Sequence, residues 1–201
     1  MITKRPFIFM RHGESEGNTL RLCQGQLDFP LTPHGRSQAR EAAQHLRSLY
    51  PIFRVFASPL LRAAETARIV APLIPHTSVQ FVDGLKERHW GVAQGEHNRI
   101  LFEQEAREAA PEFREPSPIE GLEELSQLRE RIHTTFNEIL SFHGDECPLI
   151  VSHGCFFRTL CSILSITQIS EVPNAVPALC VPTDDGWELQ WISKRGYQLV
   201  A

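Results

Sequence analysis

The chain contains no apolar run approaching the ~18 residues of a membrane span, no C-x-x-C pair, no surplus of positive charge and no low-complexity tract. Each absence excludes a class. The four apolar residues that follow Met1–Pro6 are too few for the core of a secretory signal, so the expectation is a soluble, cytoplasmic protein. The five cysteines, Cys23, Cys147, Cys155, Cys161 and Cys180, are an odd number without metal-ligand spacing. They encode neither a disulfide framework nor a zinc site, and buried free thiols are expected. A formal charge of −4 offers no basic face to nucleic acid or to an anionic membrane. Any anion site must therefore be a local concentration of Arg and His.

What is present fits one α/β domain over residues 1–201, since strand-like apolar runs alternate with helix-periodic segments. Phe7 to Met10 reads as the first strand. Thr32-Pro33 reads as an N-cap followed by proline at the first helical position, with Ala39, Ala42, Ala43, Leu46 and Leu49 on one face after it. Phe53 to Phe56 is a second strand, and Ser58-Pro59 repeats the cap-plus-proline signal before a helix over Leu60 to Ala71. Val79 to Val82 is a short strand, after which Asp83-Gly84 turns the chain into a loop through Gly91. Residues 103–124 carry eight Glu, with Pro111, Pro116 and Pro118, so an interrupted lid or insertion is expected at about 96–120. Helical spacing resumes from Leu122, through Leu125, Leu128, Ile132, Phe136, Ile139 and Leu140, and ends near His143-Gly144. Leu149 to Val151 is a buried strand, Cys155 to Ile166 a helix, and Ala178–Val181 with Trp187–Ile192 a hairpin around Asp184-Asp185-Gly186.

Three segments share one layout: a strand ends, and His12, Arg62 or His153 follows. In open α/β sheets ligands bind beyond the carboxyl ends of strands, so these side chains can converge from distant parts of the chain. A guanidinium offers phosphate a planar fork of donors, and a neutral imidazole offers a lone pair as nucleophile. Arg11-His12-Gly13-Glu14-Ser15 with Asn18 places both at the mouth of one strand.

Taken with Leu31-Thr32-Pro33-His34-Gly35, Ser58-Pro59-Leu60-Leu61-Arg62-Ala63-Ala64-Glu65-Thr66-Ala67, Leu85-Lys86-Glu87-Arg88-His89-Trp90-Gly91 and Ser152-His153-Gly154, the chain resembles the histidine phosphatase, or phosphoglycerate mutase-like, superfamily. The resemblance implies a three-layer α/β/α sandwich with a mostly parallel central sheet. It implies that His12 becomes phosphohistidine, that Arg11, Asn18, Arg62 and His153 hold the phosphoryl oxygens, and that Glu87 protonates the leaving oxygen and later activates water. Arg88 and the 96–120 segment are candidates for reading the rest of the substrate, whose binding the excess of Glu there disfavours when it is highly anionic. The implied partner is a small-molecule phosphomonoester, with no metal, no nucleic acid and no membrane, and with a homodimer left open.

Rival readings fit less well. Gly13-Glu14-Ser15-Glu16-Gly17 matches a G-x-S-x-G nucleophile elbow, but only one strand precedes Ser15, and a serine hydrolase leaves Arg11 and Arg62 unexplained. The nine His show no compact ligand spacing for a metal-dependent hydrolase. A silent phospholigand binder has no use for both nucleophile and acid. Within the superfamily, cofactor-dependent mutases typically carry a lysine where Asn98 stands and an adjacent arginine pair that is missing here. A phosphatase without cofactor is the expectation, and a mutase requiring 2,3-bisphosphoglycerate the alternative.

Overall fold

The computed structural model describes residues 1–49, 52, 54–75, 77–109, 119–141, 147–166, 169, 171–193 and 196–199. β1 (Phe7–Arg11) carries alternate side chains to opposite faces, as strand geometry requires. Phe7 and Phe9 enter one core layer with Phe136, Phe156 and Phe157, and Phe9 stacks on Phe157 with ring centroids 4.0 Å apart. Ile8 and Met10 enter the other, against Ala39, Ala42, Ala43, Leu46, Ala63 and Ala67. Burial on both faces is what a strand in a three-layer fold shows.

The chain continues through α1 (Glu16–Thr19), α2 (Pro33–Leu49), β2 (Arg54–Ala57), α3 (Leu61–Val70), β3 (Ser78–Phe81), α4 (Arg99–Ala109), α5 (Leu125–Leu140), β4 (Leu149–Ser152), α6 (Gly154–Ile163), β5 (Pro177–Pro182), β6 (Trp187–Ser193) and β7 (Gly196–Leu199). One sheet runs in the order β3-β2-β4-β1-β5-β6-β7. Its first four strands pair in parallel, and the rest in antiparallel. The expected hairpin is present as β5 and β6, which pair from Ala178 opposite Trp191 to Pro182 opposite Trp187. α2 and α3 cover one face and α5 and α6 the other, giving the sandwich.

One local expectation is corrected. Ser58 is not the N-cap of α3: its Oγ accepts from the Leu60 N–H at 3.3 Å just ahead of the helix, and the Leu61 N–H of the first turn is capped from far away by Asp28, Oδ1 accepting at 2.8 Å. The expected lid begins as regular helix: α4 runs to Ala109, because Glu is a good helix former once proline is absent and Arg99 pairs with Glu103 one turn on. Pro111, Pro116, Pro118 and the middle of that segment lie outside the described residues, as do Phe53, His76 and His143. Among the described residues no helix is long and apolar enough to cross a membrane. All five cysteines are buried and free.

Candidate active site

The adjacency of β2, β4 and β1 decides which side chains meet. Arg11 lies opposite Ser152, and Ala57 opposite Val151, so three parallel strands end level with one another. The ladder then runs on into the loops: the His12 N–H donates to the Ser152 carbonyl at 3.0 Å and the Ser58 N–H to the Val151 carbonyl at 3.0 Å. Arg11 and His12 leave β1, His153 leaves β4, and Arg62 stands in the first turn of α3 after β2.

The loop carrying His12 is held tightly against α2. A Cβ on Gly13 would lie 2.5 Å from the Gly35 carbonyl oxygen, and one on Gly35 would lie 2.0 Å from that of Glu14, so both motif glycines are required by close backbone contact. Thr32 is the N-cap foreseen, its Oγ1 accepting from the Gly35 N–H at 2.9 Å. Thr66 Oγ1 accepts from the Gly13 N–H at 3.0 Å, and Glu65 accepts from the Leu31 N–H at 3.2 Å and pairs with Arg36 at 3.0 Å. These contacts give Glu65 and Thr66 a structural role.

His12 is buried, and its partners determine its tautomer. Nδ1 lies 2.7 Å from the Gly13 carbonyl, which can only accept, so Nδ1 carries the hydrogen. Nε2 accepts from Arg62 Nε at 3.2 Å and therefore holds the lone pair. Burial, reinforced by the charges of Arg62 and Arg11, holds the imidazole well below its ordinary titration range, against the pull of the Gly13 hydrogen bond. The ring stays neutral and nucleophilic. Arg62 is fixed by its other donors, Nη1 to the Leu27 carbonyl at 2.8 Å and Nη2 to the Gly25 carbonyl at 2.7 Å.

Arg11 donates through Nη1 to the Val172 carbonyl at 2.7 Å, while its buried Nε has no hydrogen-bond partner among the described residues. Burial lowers both guanidinium groups to about 10, a shift that the negative charge of Glu87 partly opposes. His153 is fully buried, its ring centroid 5.3 Å from that of His12, with Nε2 2.8 Å from Ser58 Oγ and Nδ1 without a hydrogen-bond partner among the described residues. Burial, then Arg62, His12 and Arg11, hold it too well below its ordinary range. Asn18 closes a capping box on α1: its Oδ1 accepts from the Ser15 N–H at 3.0 Å, which leaves its amide N–H₂ as donor.

Glu87 is anchored at the N-terminus of α6. Its Oε2 accepts from the Cys155 N–H at 3.0 Å, and its Oε1 from the Phe156 N–H at 2.9 Å and the Arg88 N–H at 3.0 Å. Arg11, His12, Asn18, Arg62 and Glu87 line one cavity of about 220 Å³. His153 is not on that lining, and neither is Arg88. Its guanidinium is fully buried, forms a two-pronged pair with Glu108 at 2.7 and 2.9 Å, donates to the Glu123 carbonyl at 2.8 Å, and lies over the Trp90 ring at 4.8 Å. The expectation that Arg88 reads the substrate is corrected, because its donors are already engaged inside the protein.

Several residues at the site escaped sequence reasoning. Asn174 donates to the His12 carbonyl at 2.8 Å, and the Ala175 N–H donates to the Arg11 carbonyl at 3.0 Å from a left-handed backbone, φ 52°. Pro173-Asn174 was the only local signal of a turn there. Arg158 lines the cavity from α6, on the same face as Gly154 and one turn on. That spacing after Ser152-His153-Gly154 was a signal available in the sequence. Among the described residues no three His, Cys, Asp or Glu side chains are grouped as a metal site needs.

Known proteins resemble this chain in sequence and in fold. The family model described as histidine phosphatase superfamily (branch 1) matches residues 7–193. A relative from Arabidopsis thaliana named "Phosphoglycerate mutase-like protein 4" is 35% identical over 161 residues, covering 76% of this chain and 68% of its own. "Probable phosphoglycerate mutase GpmB" of Salmonella choleraesuis is 31% identical over 187 residues, covering 92% and 86%. Among solved structures, a mycobacterial glucosyl-3-phosphoglycerate phosphatase superposes with a TM-score of 0.73 at 25% identity, covering 89% of this chain and 90% of that one.

Proposed function

Because the chain belongs to the histidine phosphatase superfamily, we propose that it is a phosphomonoesterase that hydrolyses a small phosphorylated metabolite through a phosphohistidine on His12, without metal or cofactor. The observation that carries this reading is the His12 tautomer. Its Nδ1–H is committed to the Gly13 carbonyl and its Nε2 lone pair faces the cavity's guanidinium groups.

In the first step, which Glu87 enters in its protonated form, Nε2 forms a bond to phosphorus while the bond from phosphorus to the substrate oxygen breaks, and the departing oxygen takes the proton of Glu87. In the second, Glu87 takes a proton from water, the water oxygen bonds to phosphorus, the P–N bond breaks and phosphate leaves. The phosphoryl oxygens are held by Arg11 Nε, Arg62, the Asn18 amide and His153. Ser58 donates to His153 Nε2, so that Nδ1 keeps the hydrogen and offers it to the phosphoryl group. Donors fixed in advance by Val172, Gly25 and Leu27 need no reorganisation when charge develops, which is where electrostatic stabilisation has its largest effect.

The names of the two curated relatives favour a second reading, a mutase that returns the phosphoryl group to its substrate. A phosphomonoester panel with wild type and His12→Ala, beside an assay for conversion of 3-phosphoglycerate to 2-phosphoglycerate, separates the readings. Phosphate release by wild type, lost by at least about a thousandfold in the variant, is expected. Robust isomerisation dependent on 2,3-bisphosphoglycerate overturns the phosphatase reading, and an acid-stable phosphoenzyme rules out histidine as the carrier.

A further inference from the structure

Once the phosphoryl group is assigned to Arg11, His12, Asn18, Arg62 and His153, the residues left to meet the alcohol of the substrate are mostly uncharged. Leu22, Trp90, Leu101 and Phe102 supply apolar surface, and Gln24 and Asn98 neutral polar groups. Phe102 is 60% exposed, a large ring left in solvent at the edge of a cavity. The remaining cation, Arg158, has its Nη2 against Glu105 Oε1 on α4. Leu101, Glu105 and Glu108 fall on one helical face, so a single surface of α4 presents both the apolar wall and the two carboxylates. Arg158 also borders an adjoining cavity of about 350 Å³, where Arg88 is matched by Glu108 and Arg129 donates to Ser162 Oγ at 2.8 Å. A carboxylate or second phosphate on the alcohol would meet in Arg158 a guanidinium already paired with Glu105.

Resting on the hydrolytic reading above, we infer that the α4 wall selects phosphomonoesters whose alcohol is uncharged and carries an apolar or aromatic face, with Glu105 enforcing the choice by neutralising Arg158. Among the described residues of the acidic segment, Glu103, Glu105, Glu108 and Glu123 are each paired with an arginine.

The test compares kcat/KM for benzyl phosphate, glycerol 1-phosphate and 3-phosphoglycerate, all esters of alkyl alcohols. Wild type is expected to prefer benzyl phosphate to 3-phosphoglycerate by about tenfold or more. Glu105→Gln should shrink that ratio by about fivefold, and Arg158→Gln, which leaves Glu105 unmatched, should widen it by a similar factor. A general structural loss would lower all three substrates together and leave the ratio unmoved. Phe102→Ala should raise KM for benzyl phosphate more than for glycerol 1-phosphate. A wild-type preference for 3-phosphoglycerate, or ratios that move in the same direction in both charge variants, overturns the inference while leaving the hydrolase reading intact. Release of phosphate from none of the three esters overturns the hydrolase reading itself. Should Glu105→Gln fail to fold, the direction of the Arg158→Gln ratio decides.

Discussion

Arg62 and Arg88 are equally well buried, at 1% and 0% exposure, yet their surroundings treat the charge in opposite ways. Arg88 meets the carboxylate of Glu108 with two parallel hydrogen bonds and lies on Trp90. Arg62 meets two carbonyl oxygens and an imidazole, and among the described residues neither it nor Arg11 has a carboxylate in ion-pair contact. A buried cation without a counter-ion is unfavourable, which is why burial drags Arg62 and Arg11 down to about 10. The Arg88 region is matched internally and stabilises the fold. The Arg62 region is left positive, as the proposed binding of a phosphoryl group requires.

Removing each arginine tests that contrast most strongly. Arg62→Ala should lower kcat/KM by about a hundred- to a thousandfold with no loss of thermal stability. Arg88→Ala should cost about 3–5 kcal/mol in denaturant unfolding, because it strands the Glu108 carboxylate, while Arg88→Met with Glu108→Leu should recover most of that loss. Equal destabilisation by Arg62→Ala and Arg88→Ala would abolish the distinction.

The pH dependence of stability should separate the two regions by window. His12 and His153 titrate well below their ordinary 6.5 when folded. Below about pH 6.5 the unfolded chain therefore takes up two protons that the folded site refuses. Stability should fall by up to about 1.4 kcal/mol per pH unit for each histidine until the folded site itself titrates. Glu108 would be raised by its burial, but its hydrogen bonds to Arg88 and Gln104 bring it below its ordinary 4.5. Its contribution is present above that value and is lost as the pH falls further. Denaturant midpoints from pH 7 to 3, compared between wild type, His153→Gln and Glu108→Gln, should show the histidine slope first and the carboxylate slope later. A His153→Gln profile identical to wild type above pH 5 would contradict the assignment.

The smallest effect is expected at Asp28. Asp28→Ala removes the cap on the Leu61 N–H, costing about 1 kcal/mol, and a rise in KM of a few-fold should accompany it as the turn carrying Arg62 loosens.

The strand ends at His12, Arg62 and His153 were legible because each is announced by a contiguous apolar run and a turn or cap signal, which are local properties. The β5–β6 hairpin was legible for the same reason. Ser58 was misread as a helix cap because cap chemistry is shared by any serine at that spacing, and its bond to His153 joins residues 95 positions apart. Arg88 was misassigned on similar grounds: nothing adjacent to it in the chain reveals that Glu108 and Glu123 will enclose it. Asn174 and Ala175 went unnoticed since they reach the nucleophile's loop from beyond α6, at the one edge of the parallel strands where β5 joins β1.

The sequence by itself determined the alternation of strand and helix and the cationic and nucleophilic residues at the strand ends. It also determined the glycines that only close backbone contact explains. Those properties depend on side-chain type and on spacings of two to four residues, which the covalent chain carries directly. Only the tertiary structure decided which tautomer His12 adopts, which buried arginine is matched and which is left unmatched, and that Glu105 takes up the charge of Arg158. Protonation and charge balance follow from desolvation and from partners within a few ångströms, and those partners are brought together by the order β2-β4-β1 and by the meeting of Glu105 on α4 with Arg158 on α6.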